Sequence, residues 1–178
     1  MKIRLETPRL ILREIELTDV EDMFEMDSDP EVHKYILQSP VQSKDEILEV
    51  VNMLRNQYAE NGIARWAVVD KNTGEMLGWC GIKYYMDELN GHQNFYEHGY
   101  RFKQKHWGKG YATESSKVVL DWAFKNLNTE TIYAITDLDN AASIHVLNKL
   151  GFELKEVFPY DENLDCNWFE LKKENIVL

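Results

Sequence analysis

A short glycine loop between Trp107 and Ala112 is the segment whose residue types best suit ligand chemistry. Gly108 and Gly110 let the backbone approach a ligand closely, and the apolar residues that follow recur at helical spacing. The first N–H groups of a helix have no internal partner, and the helix dipole adds positive potential at that end. The sequence therefore predicts a site for a phosphate or pyrophosphate group where this helix begins.

Basic side chains crowd this loop, although the chain as a whole carries a net charge of −11. Lys103, Lys105, His106 and Lys109 fall within seven residues. A run of this kind is usually a solvated loop, but its place beside the glycines favours an anion site. The overall acidity argues against a nucleic-acid-binding surface spread over the whole protein, so we expect no direct nucleic-acid partner.

The two common nucleotide-binding motifs do not fit the glycine loop. A Walker loop would need glycine at Lys103, and Ser or Thr at Gly110. A dinucleotide-binding fingerprint would need glycine at Thr113 within a βαβ unit, which the surrounding segments do not form. A nucleotide-binding protein is therefore a distant alternative. The segments around the loop are needed to indicate which ligand it binds.

Two helices before the loop are predicted from their first residues. Thr18 and Glu21 have the spacing of a capping box, with Thr18 as the N-cap. Ser43 and Glu46 have the same spacing and open a helix that ends near Gly62. Apolar residues recur at helical intervals in the second helix, so we expect one of its faces to be buried.

Runs rich in β-branched and aromatic residues predict the strands. Residues 64–70 and 76–85 flank Asn72-Thr73-Gly74, which is typical of a hairpin turn. With an opening strand, the order β-α-α-β-β-β-α-β-α-β-β indicates an α/β (α+β) fold with helices on a largely antiparallel sheet. The other predicted elements are strands at about 95–103, 131–136, 152–159 and 165–171, a helix after Gly110 and a helix from Asn140 to Gly151.

The size and composition of the chain predict a single domain over residues 1–178. Its 178 residues, 44% of them hydrophobic, suffice for one sizeable core. No apolar run approaches the roughly 20 residues of a membrane-spanning helix, and the first residues lack the apolar stretch of a secretion signal. Cys80 and Cys166 have no Cys-x-x-Cys partner and the five histidines lack metal-ligand spacing, so we expect a cytoplasmic protein without a metal.

Four segments, in the right order, resemble the GNAT acetyltransferase superfamily and its RimJ/RimL-type branch of ribosomal-protein N-terminal acetyltransferases. The glycine loop resembles the family's Arg/Gln-x-x-Gly-x-Gly/Ala loop, with Trp107 in place of Arg or Gln. Residues 7–13, 97–100 and 140–152 resemble its opening strand, its Glu-x-Gly-Tyr strand and its Asn-x-x-Ser…Gly-Phe helix. The resemblance covers nearly the whole chain. It implies a mixed, largely antiparallel twisted sheet of about six to seven strands, flanked by about four helices.

The same resemblance implies acetyl-CoA as the co-substrate. It places the pantetheine arm beside the backbone of Phe102 and Lys103, and it places Asn140 near the pantetheine or the acetyl group. A backbone amide near Phe102 would stabilise the oxyanion. The residues whose amides would hold the CoA pyrophosphate are Gly108, Lys109, Gly110, Tyr111, Ala112 and Thr113.

Glu97 and Ser143 are the candidate catalytic residues that the resemblance implies. Glu97 shares a strand face with Gly99 and Arg101, so it could take the amine proton directly or through water. Alternatively, it pairs with Arg101 or faces solvent. Many family members carry Tyr where this chain has Leu147, which shifts attention to Ser143. Its hydroxyl could hydrogen-bond the leaving sulfur, or it could serve only the helix start.

We expect an N-acetyltransferase that acts on a primary amine, either a protein N-terminus or a small amine. The acidity of the chain would favour a cationic acceptor. The rival from another class is a non-catalytic acyl-CoA-binding module, which would keep the loop without the chemistry. Trp168 and Tyr160 are candidates for an acceptor pocket, whereas Trp66, Trp79 and Trp122 have core-like patterns. We expect no membrane partner, and both a monomer and a homodimer stay open.

Overall fold

The computed structural model describes residues 3–36 and 38–178. The strands in this part of the chain are β1 (Arg4–Glu6), β2 (Leu10–Glu14), β3 (Arg65–Asp70), β4 (Met76–Tyr85), β5 (Phe95–Phe102), β6 (Thr131–Asp137), β7 (Glu153–Asp161) and β8 (Leu164–Lys172). The α-helices there are α1 (Val20–Asp27), α2 (Lys44–Asn61), α3 (Tyr111–Asn126) and α4 (Ala141–Leu150).

One sheet contains all of these strands, in the order β1-β2-β3-β4-β5-β6-β8-β7. Neighbouring strands are antiparallel except β5 and β6, which are parallel. The predicted fold class, a mixed and largely antiparallel sheet flanked by helices, is therefore confirmed.

The described residues form eight strands, rather than the six to seven predicted, because the opening strand divides around Pro8. Proline has no N–H to give to a ladder. Beside it, the Thr7 N–H donates to the Leu10 carbonyl over 3.0 Å, and the Leu10 N–H donates to the Thr7 hydroxyl over 2.9 Å. The chain reverses at this point, and β1 pairs antiparallel with β2.

The two predicted helix starts have different outcomes. Ser43 caps α2 as predicted, since its hydroxyl accepts an N–H from the first turn, and the helix ends at Gly62 in the left-handed conformation. Thr18 as the cap of α1 is wrong. That helix follows a 3-10 turn whose capping box joins Glu16 and Asp19, because the Asp19 carboxylate accepts the Glu16 N–H over 2.8 Å.

Hydrophobic layers hold the helices on both faces of the sheet. One layer packs α3 and α4 around Trp66, and the other packs α1 and α2 around Ile47 and Trp79. Trp168 is 1% exposed and belongs to a third hydrophobic cluster near the β7–β8 hairpin. Its assignment to an acceptor pocket is therefore wrong. Tyr160, the other candidate, lies exposed on β7. No helix among the described residues combines the length and apolar character needed to cross a membrane.

The basic run before the glycine loop is neutralised by carboxylates within the protein. Lys103 Nζ lies 2.6 Å from Asp22 Oδ1, 2.6 Å from Glu25 Oε2 and 3.2 Å from Glu75 Oε1. Lys105 lies 2.8 Å from both Glu25 and Glu75. These two lysines therefore do not form the predicted anion site, because their charges are already paired. The cluster ties α1 and the β3–β4 turn to the segment that leads into the loop.

Replacing Lys103 with Met should destabilise the fold more than replacing Lys105 with Met. The Lys103 side chain is 3% exposed, and its loss leaves three neighbouring carboxylates without their central cation. We expect a loss of about 1–3 kcal/mol in the free energy of unfolding. The Lys105 side chain is 51% exposed, where ion pairs contribute under about 1 kcal/mol. Urea denaturation of both variants at pH 7 measures the difference.

The effect of Lys103→Met should also depend on pH with a defined sign. Hydrogen bonds from Lys105, and then from His106 and Lys103, lower the pKa of Glu75 to about 2 from 4.5. A carboxylate with a lowered pKa stabilises the fold above its unfolded pKa, and that contribution disappears as the pH falls toward 2. The stability difference between wild type and Lys103→Met should therefore be largest near neutral pH and shrink below about pH 4.5. Equal stability of the Lys103 and Lys105 variants at pH 7 would contradict this account.

Candidate active site

The gap between β5 and β6 creates the site. These parallel neighbours pair at a single position, where Glu97 lies opposite Tyr133. Beyond that position the strands diverge, and α4 begins shortly after β6. We call this gap, between residues 100–102 of β5 and the first two turns of α4, the wedge. It opens at the carboxyl ends of the two strands, where open sheets commonly bind ligands.

A cavity of about 480 Å³ fills the wedge and continues to the glycine loop. Its lining comes from the end of β5, the glycine loop, the first turn of α3, the start of α4 and the 31–36 segment. This volume lies within the usual range of small-molecule and cofactor sites. The lining thus joins the glycine loop and the α4 start, which lie far apart in the sequence.

The backbone of β5 offers hydrogen-bond donors to the wedge. The Lys103 N–H donates to the Leu77 carbonyl over 3.0 Å, so it points toward β4. Backbone groups alternate in direction along a strand, which turns the N–H groups of Phe102 and Tyr100 away from β4 and into the wedge. The Phe102 carbonyl, on the same side, accepts the Trp107 indole N–H over 2.8 Å. Phe102 therefore stands where a ligand can pair with its backbone N–H.

Gly108 and Gly110 give the loop its shape. Their φ angles are 72° and 80°, in the left-handed region that glycine adopts without strain. Gly110 is the N-cap of α3, and no side chain of the described residues accepts the N–H groups there. The N–H groups of Tyr111, Ala112 and Thr113 are therefore left for a ligand, with the positive end of the helix dipole behind them.

Lys103 and Lys109 were predicted to contact the ligand, but neither is among the described residues that line the cavity. The Lys103 N–H and carbonyl are both bonded within the protein, the carbonyl to the His106 N–H over 2.9 Å. Its ammonium belongs to the carboxylate cluster. Lys109 lies at the outer bend of the loop, and its carbonyl accepts a hydrogen bond from Arg9 over 3.0 Å.

Arg9, just before β2, holds the loop from outside. Its Nη2 bonds the Lys109 carbonyl, and its Nε donates to the Glu114 carboxylate over 2.6 Å. The guanidinium carbon also lies 4.4 Å from the centre of the Tyr111 ring. Sequence reasoning assigned Arg9 only to the opening strand, because its partners lie about 100 positions later and leave no local signal.

Asn140 and Ser143 meet the wedge where α4 begins. Asn140 caps the helix as predicted, since its Oδ1 accepts the Ser143 N–H over 3.1 Å, and both residues line the cavity. The Ser143 carbonyl accepts the Tyr100 hydroxyl over 3.5 Å, which links α4 to β5 across the wedge. Burial raises the pKa of Tyr100 to about 12, so this hydroxyl remains a donor at neutral pH. Leu147, one turn later, is buried in the core.

Glu97 is buried on the other face of β5, at the last position that pairs with β6, and it does not line the cavity. A Cβ placed on Gly99 would lie only 3.4 Å from Glu97 Oε1, so the carboxylate leans along the strand toward the wedge. Its Oε2 has no hydrogen-bond partner among the described residues and lies 3.5 Å from Arg65 Nη2. Burial raises the pKa of Glu97, while the Arg65 and Lys83 charges oppose that rise. A buried carboxyl with a raised pKa is a candidate general base.

Arg101, the alternative partner considered for Glu97, is bound to Asp27 instead. Arg101 Nη1 lies 2.6 Å from Asp27 Oδ1 at the end of α1, and His33 Nε2 lies 3.5 Å from the same oxygen. Arg101 also lines the cavity, as do residues of the 31–36 segment that follows α1. Sequence reasoning missed this wall of the wedge, because the Arg101–Asp27 contact joins residues 74 positions apart.

Sequence comparison identifies relatives over most of the chain. The family model described as "Acetyltransferase (GNAT) domain" matches residues 9–153. The uncharacterized N-acetyltransferase p20 of Bacillus licheniformis is 35% identical over 149 residues, which cover 84% of this chain and 82% of that protein.

Structure comparison finds the same fold in solved acetyltransferases. A GNAT-family acetyltransferase from Bacillus anthracis is 25% identical with a TM-score of 0.78, covering 97% of this chain and 99% of that one. Spermidine N-acetyltransferase from Vibrio cholerae, solved with CoA and spermine, is 22% identical with a TM-score of 0.75, covering 95% of this chain and 98% of that one. At this identity the second likeness concerns the fold alone.

Replacing Gly110 with Asp should weaken the binding of CoA by at least about 10-fold, or ~1.4 kcal/mol. The new carboxylate would stand beside the free N–H groups of the α3 start and repel the pyrophosphate. Gly91→Asp is the matched control, because Gly91 also has a left-handed φ, 71°, but lies in an exposed turn outside the cavity lining. Isothermal titration calorimetry measures both, and unchanged CoA affinity in folded Gly110→Asp would contradict the loop assignment.

Proposed function

The chain belongs to the acetyltransferase (GNAT) domain family and is an acetyl-CoA-dependent acyltransferase, and we propose that it acetylates a primary amine beside Glu97. The observation that carries this proposal is the buried Glu97 carboxylate, which leans over Gly99 toward the wedge. An amine must lose a proton as it is acetylated, and a positioned carboxylate can accept that proton. The same strand turns its free N–H groups into the wedge, where the acetyl group would lie.

The cavity suits acetyl-CoA, which supplies the acetyl group as a thioester. The backbone from Gly108 to Thr113 would hold the pyrophosphate, because α3 has no side-chain cap and a Cβ on Gly108 would meet nothing within 4 Å. Phe102 would pair with the pantetheine arm through its N–H, and Asn140 would lie near the far end of that arm. In this assignment Lys103 has no contact with CoA, and Lys109 contributes through its backbone alone.

Glu97 acts as the general base in the proposed reaction. It accepts the amine proton directly or through a water molecule in the space that Gly99 leaves beside it. The raised pKa of Glu97 lies closer to neutral pH than that of an exposed glutamate. This favours a general base that is ionised before the reaction and holds the proton after accepting it. The N–H group of Tyr100, two residues before Phe102, would stabilise the negative charge that develops on the acetyl oxygen.

Ser143 assists the departure of the thiolate by hydrogen bonding. It lines the cavity, and its N–H and carbonyl are already bonded to Asn140 and Tyr100, which fixes its position. Leu147 cannot donate a proton, so we assign this hydrogen bond to the Ser143 hydroxyl. A thiol with a pKa near 8.5 is a good leaving group, so the help required is small.

The acceptor is a primary amine, either a protein N-terminus, as in the RimJ/RimL branch, or a small amine. A protein N-terminus as the acceptor is supported by the motif resemblance, because Ser143 is present and Leu147 replaces the usual Tyr. A small amine is supported by the spermine bound in the Vibrio cholerae neighbour. We further propose that residues 1–178 are one catalytic domain in the cytoplasm, supported by the free, buried Cys80 and Cys166.

A panel of amines tests the proposed function. Peptides with free N-termini, polyamines and aminoglycosides are incubated with acetyl-CoA, while CoA release and product mass are followed. Amine-dependent release of CoA with an acetylated product supports the proposal. Tight CoA binding without turnover of any amine would contradict it and favour the non-catalytic acyl-CoA-binding module.

Replacing Glu97 with Gln should lower kcat by about 10²–10⁴-fold, the usual contribution of a general base, and leave CoA affinity unchanged. Because burial raises the pKa of Glu97, the wild-type rate should rise with pH through a value above that of an exposed glutamate. The variant should lack this limb of the pH profile. Glu130→Gln, at a side chain that is 83% exposed, is the control. A rate within about threefold of wild type would assign Glu97 to structure.

Replacing Ser143 with Ala should slow turnover by only about 10-fold, equivalent to one hydrogen bond of ~1.4 kcal/mol. The melting temperature should change little, because the Asn140 cap accepts the Ser143 N–H, which alanine keeps. Asn140→Ala is the stability control and should cost about 1 kcal/mol as a lost N-cap. Unchanged turnover of Ser143→Ala would mean that the thiolate takes its proton from solvent.

A further inference from the structure

We propose that the acceptor carries an anionic group, such as a carboxylate, close to its primary amine. This inference rests on the proposed function, since it concerns the acceptor side of the same site. It comes from the charges around Glu97, which are locally positive although the whole chain has a net charge of −11. The overall acidity is therefore a poor guide to the acceptor.

Arg65 and Lys83 flank Glu97 on one face of the sheet. Lys83 lies directly opposite Glu97 across the β4–β5 ladder, and Arg65 Nη2 lies 3.5 Å from Glu97 Oε2. Among the described residues, Glu97 is the carboxylate within ion-pair distance of Arg65, and no carboxylate lies that close to Lys83. Two cations thus face one carboxylate. Arg101 and Asp27, further along the same face, pair with each other. They therefore do not change the excess of positive charge around Glu97.

The Arg65 guanidinium has unused hydrogen-bonding capacity. It stacks 4.4 Å from the centre of the Trp79 ring, which leaves its edge for acceptors in its own plane. Its Nε is buried without a hydrogen-bond partner among the described residues, and so is Glu97 Oε2. The Arg65 side chain is still 28% exposed, so part of it is open to a ligand although Nε itself is buried. Guanidinium donors in a fixed fork match a carboxylate well.

The Lys83 ammonium adds to the same positive field. It lies 3.9 Å from the centre of the Tyr85 ring, on the Glu97 side of β4. Burial and the nearby Arg65 charge lower the pKa of Lys83, which means that its charged form is held at a cost. A bound anion between Lys83 and Arg65 would relieve that cost.

These charges select among amines. An ammonium beside Glu97 would place a neighbouring carboxylate within reach of Arg65, because the two side chains are only 3.5 Å apart. The cations would also lower the pKa of the bound amine and so favour its neutral, nucleophilic form. A polyamine would instead bring further ammonium groups against Arg65 and Lys83. The same chemistry could come from a free amino acid or from a peptide with an acidic residue near its N-terminus.

The test compares amines matched except for a carboxylate or an amide, with each kcat/KM expressed per concentration of neutral amine, because the α-amine of an amino acid amide has the lower pKa. Alanine is paired with alaninamide, phenylalanine with phenylalaninamide, and the C-terminally amidated dipeptide Ala-Glu with Ala-Gln, and spermidine is included. We expect kcat/KM to be at least about 10-fold higher for the carboxylate member of a pair, as for one charge-assisted hydrogen bond. The free amino acid pairs and the dipeptide pair distinguish the two sources of the anion.

Lys83→Gln should reduce the carboxylate-to-amide ratio of kcat/KM by at least about fivefold, since one of the two cations is removed. Both kcat/KM values in this ratio are measured with the same enzyme preparation. A lower fraction of folded protein therefore reduces both equally and leaves the ratio unchanged. The intrinsic reactivity of each amine cancels between variant and wild type. Lys125→Gln, on an exposed part of α3, is the matched control and should leave the ratio unchanged.

Two results would overturn the proposal in different ways. Equal or faster turnover of the amides, or spermidine as the best acceptor, would reject the anionic acceptor and leave amine acetylation standing. The absence of amine-dependent CoA release with every member of the panel would reject the proposed function, and this inference with it.

Discussion

The single paired position between the parallel strands β5 and β6 sets the geometry of the whole site. Because the ladder stops at Glu97 and Tyr133, the N–H groups of Tyr100 and Phe102 lose their sheet partner and can serve a ligand. Glu97 itself stays inside the paired sheet, where the backbone holds it rigidly. The wedge therefore combines a fixed carboxylate, the proposed proton acceptor, with open backbone donors only a few residues further along one strand.

Ion pairs and hydrogen bonds hold the glycine loop in position. Arg9 ties the loop and the first turn of α3 to the start of the sheet, and Lys103 ties the preceding segment to α1. A loop with two glycines would otherwise lose much backbone entropy on binding. The basic residues near the loop thus act mainly through carboxylates of the protein, while the ligand is left to backbone N–H groups. This arrangement suits the proposed role of the loop, which is to hold the CoA pyrophosphate at a fixed distance from the wedge.

Local features of the fold and site could be predicted from the sequence, whereas long-range pairings could not. Ser43 and Asn140 cap their helices as predicted, and the glycine loop lies between a strand and a helix, because these features depend on neighbouring residues. The division of the opening strand at Pro8 was missed, since a proline in an extended segment does not say whether the chain reverses. The pairing of Lys103 was missed because its carboxylates lie 28 to 81 positions away. Charge runs in a sequence show which charges exist, but not which of them are already neutralised.

The contact between Arg9 and Lys109 also constrains when the site can form during protein synthesis. Arg9 is made early, but the carbonyl that it binds follows 100 positions later, and the α4 wall of the wedge follows later still. A ribosome-bound chain that ends between β5 and the glycine loop has neither a closed wedge nor a held loop, so CoA cannot stabilise it by mass action. Its strands β2 to β5 would meanwhile expose apolar faces that α3 and α4 normally cover. Premature termination should therefore yield fragments that depend on chaperones, and CoA levels in the cell should protect only the finished protein.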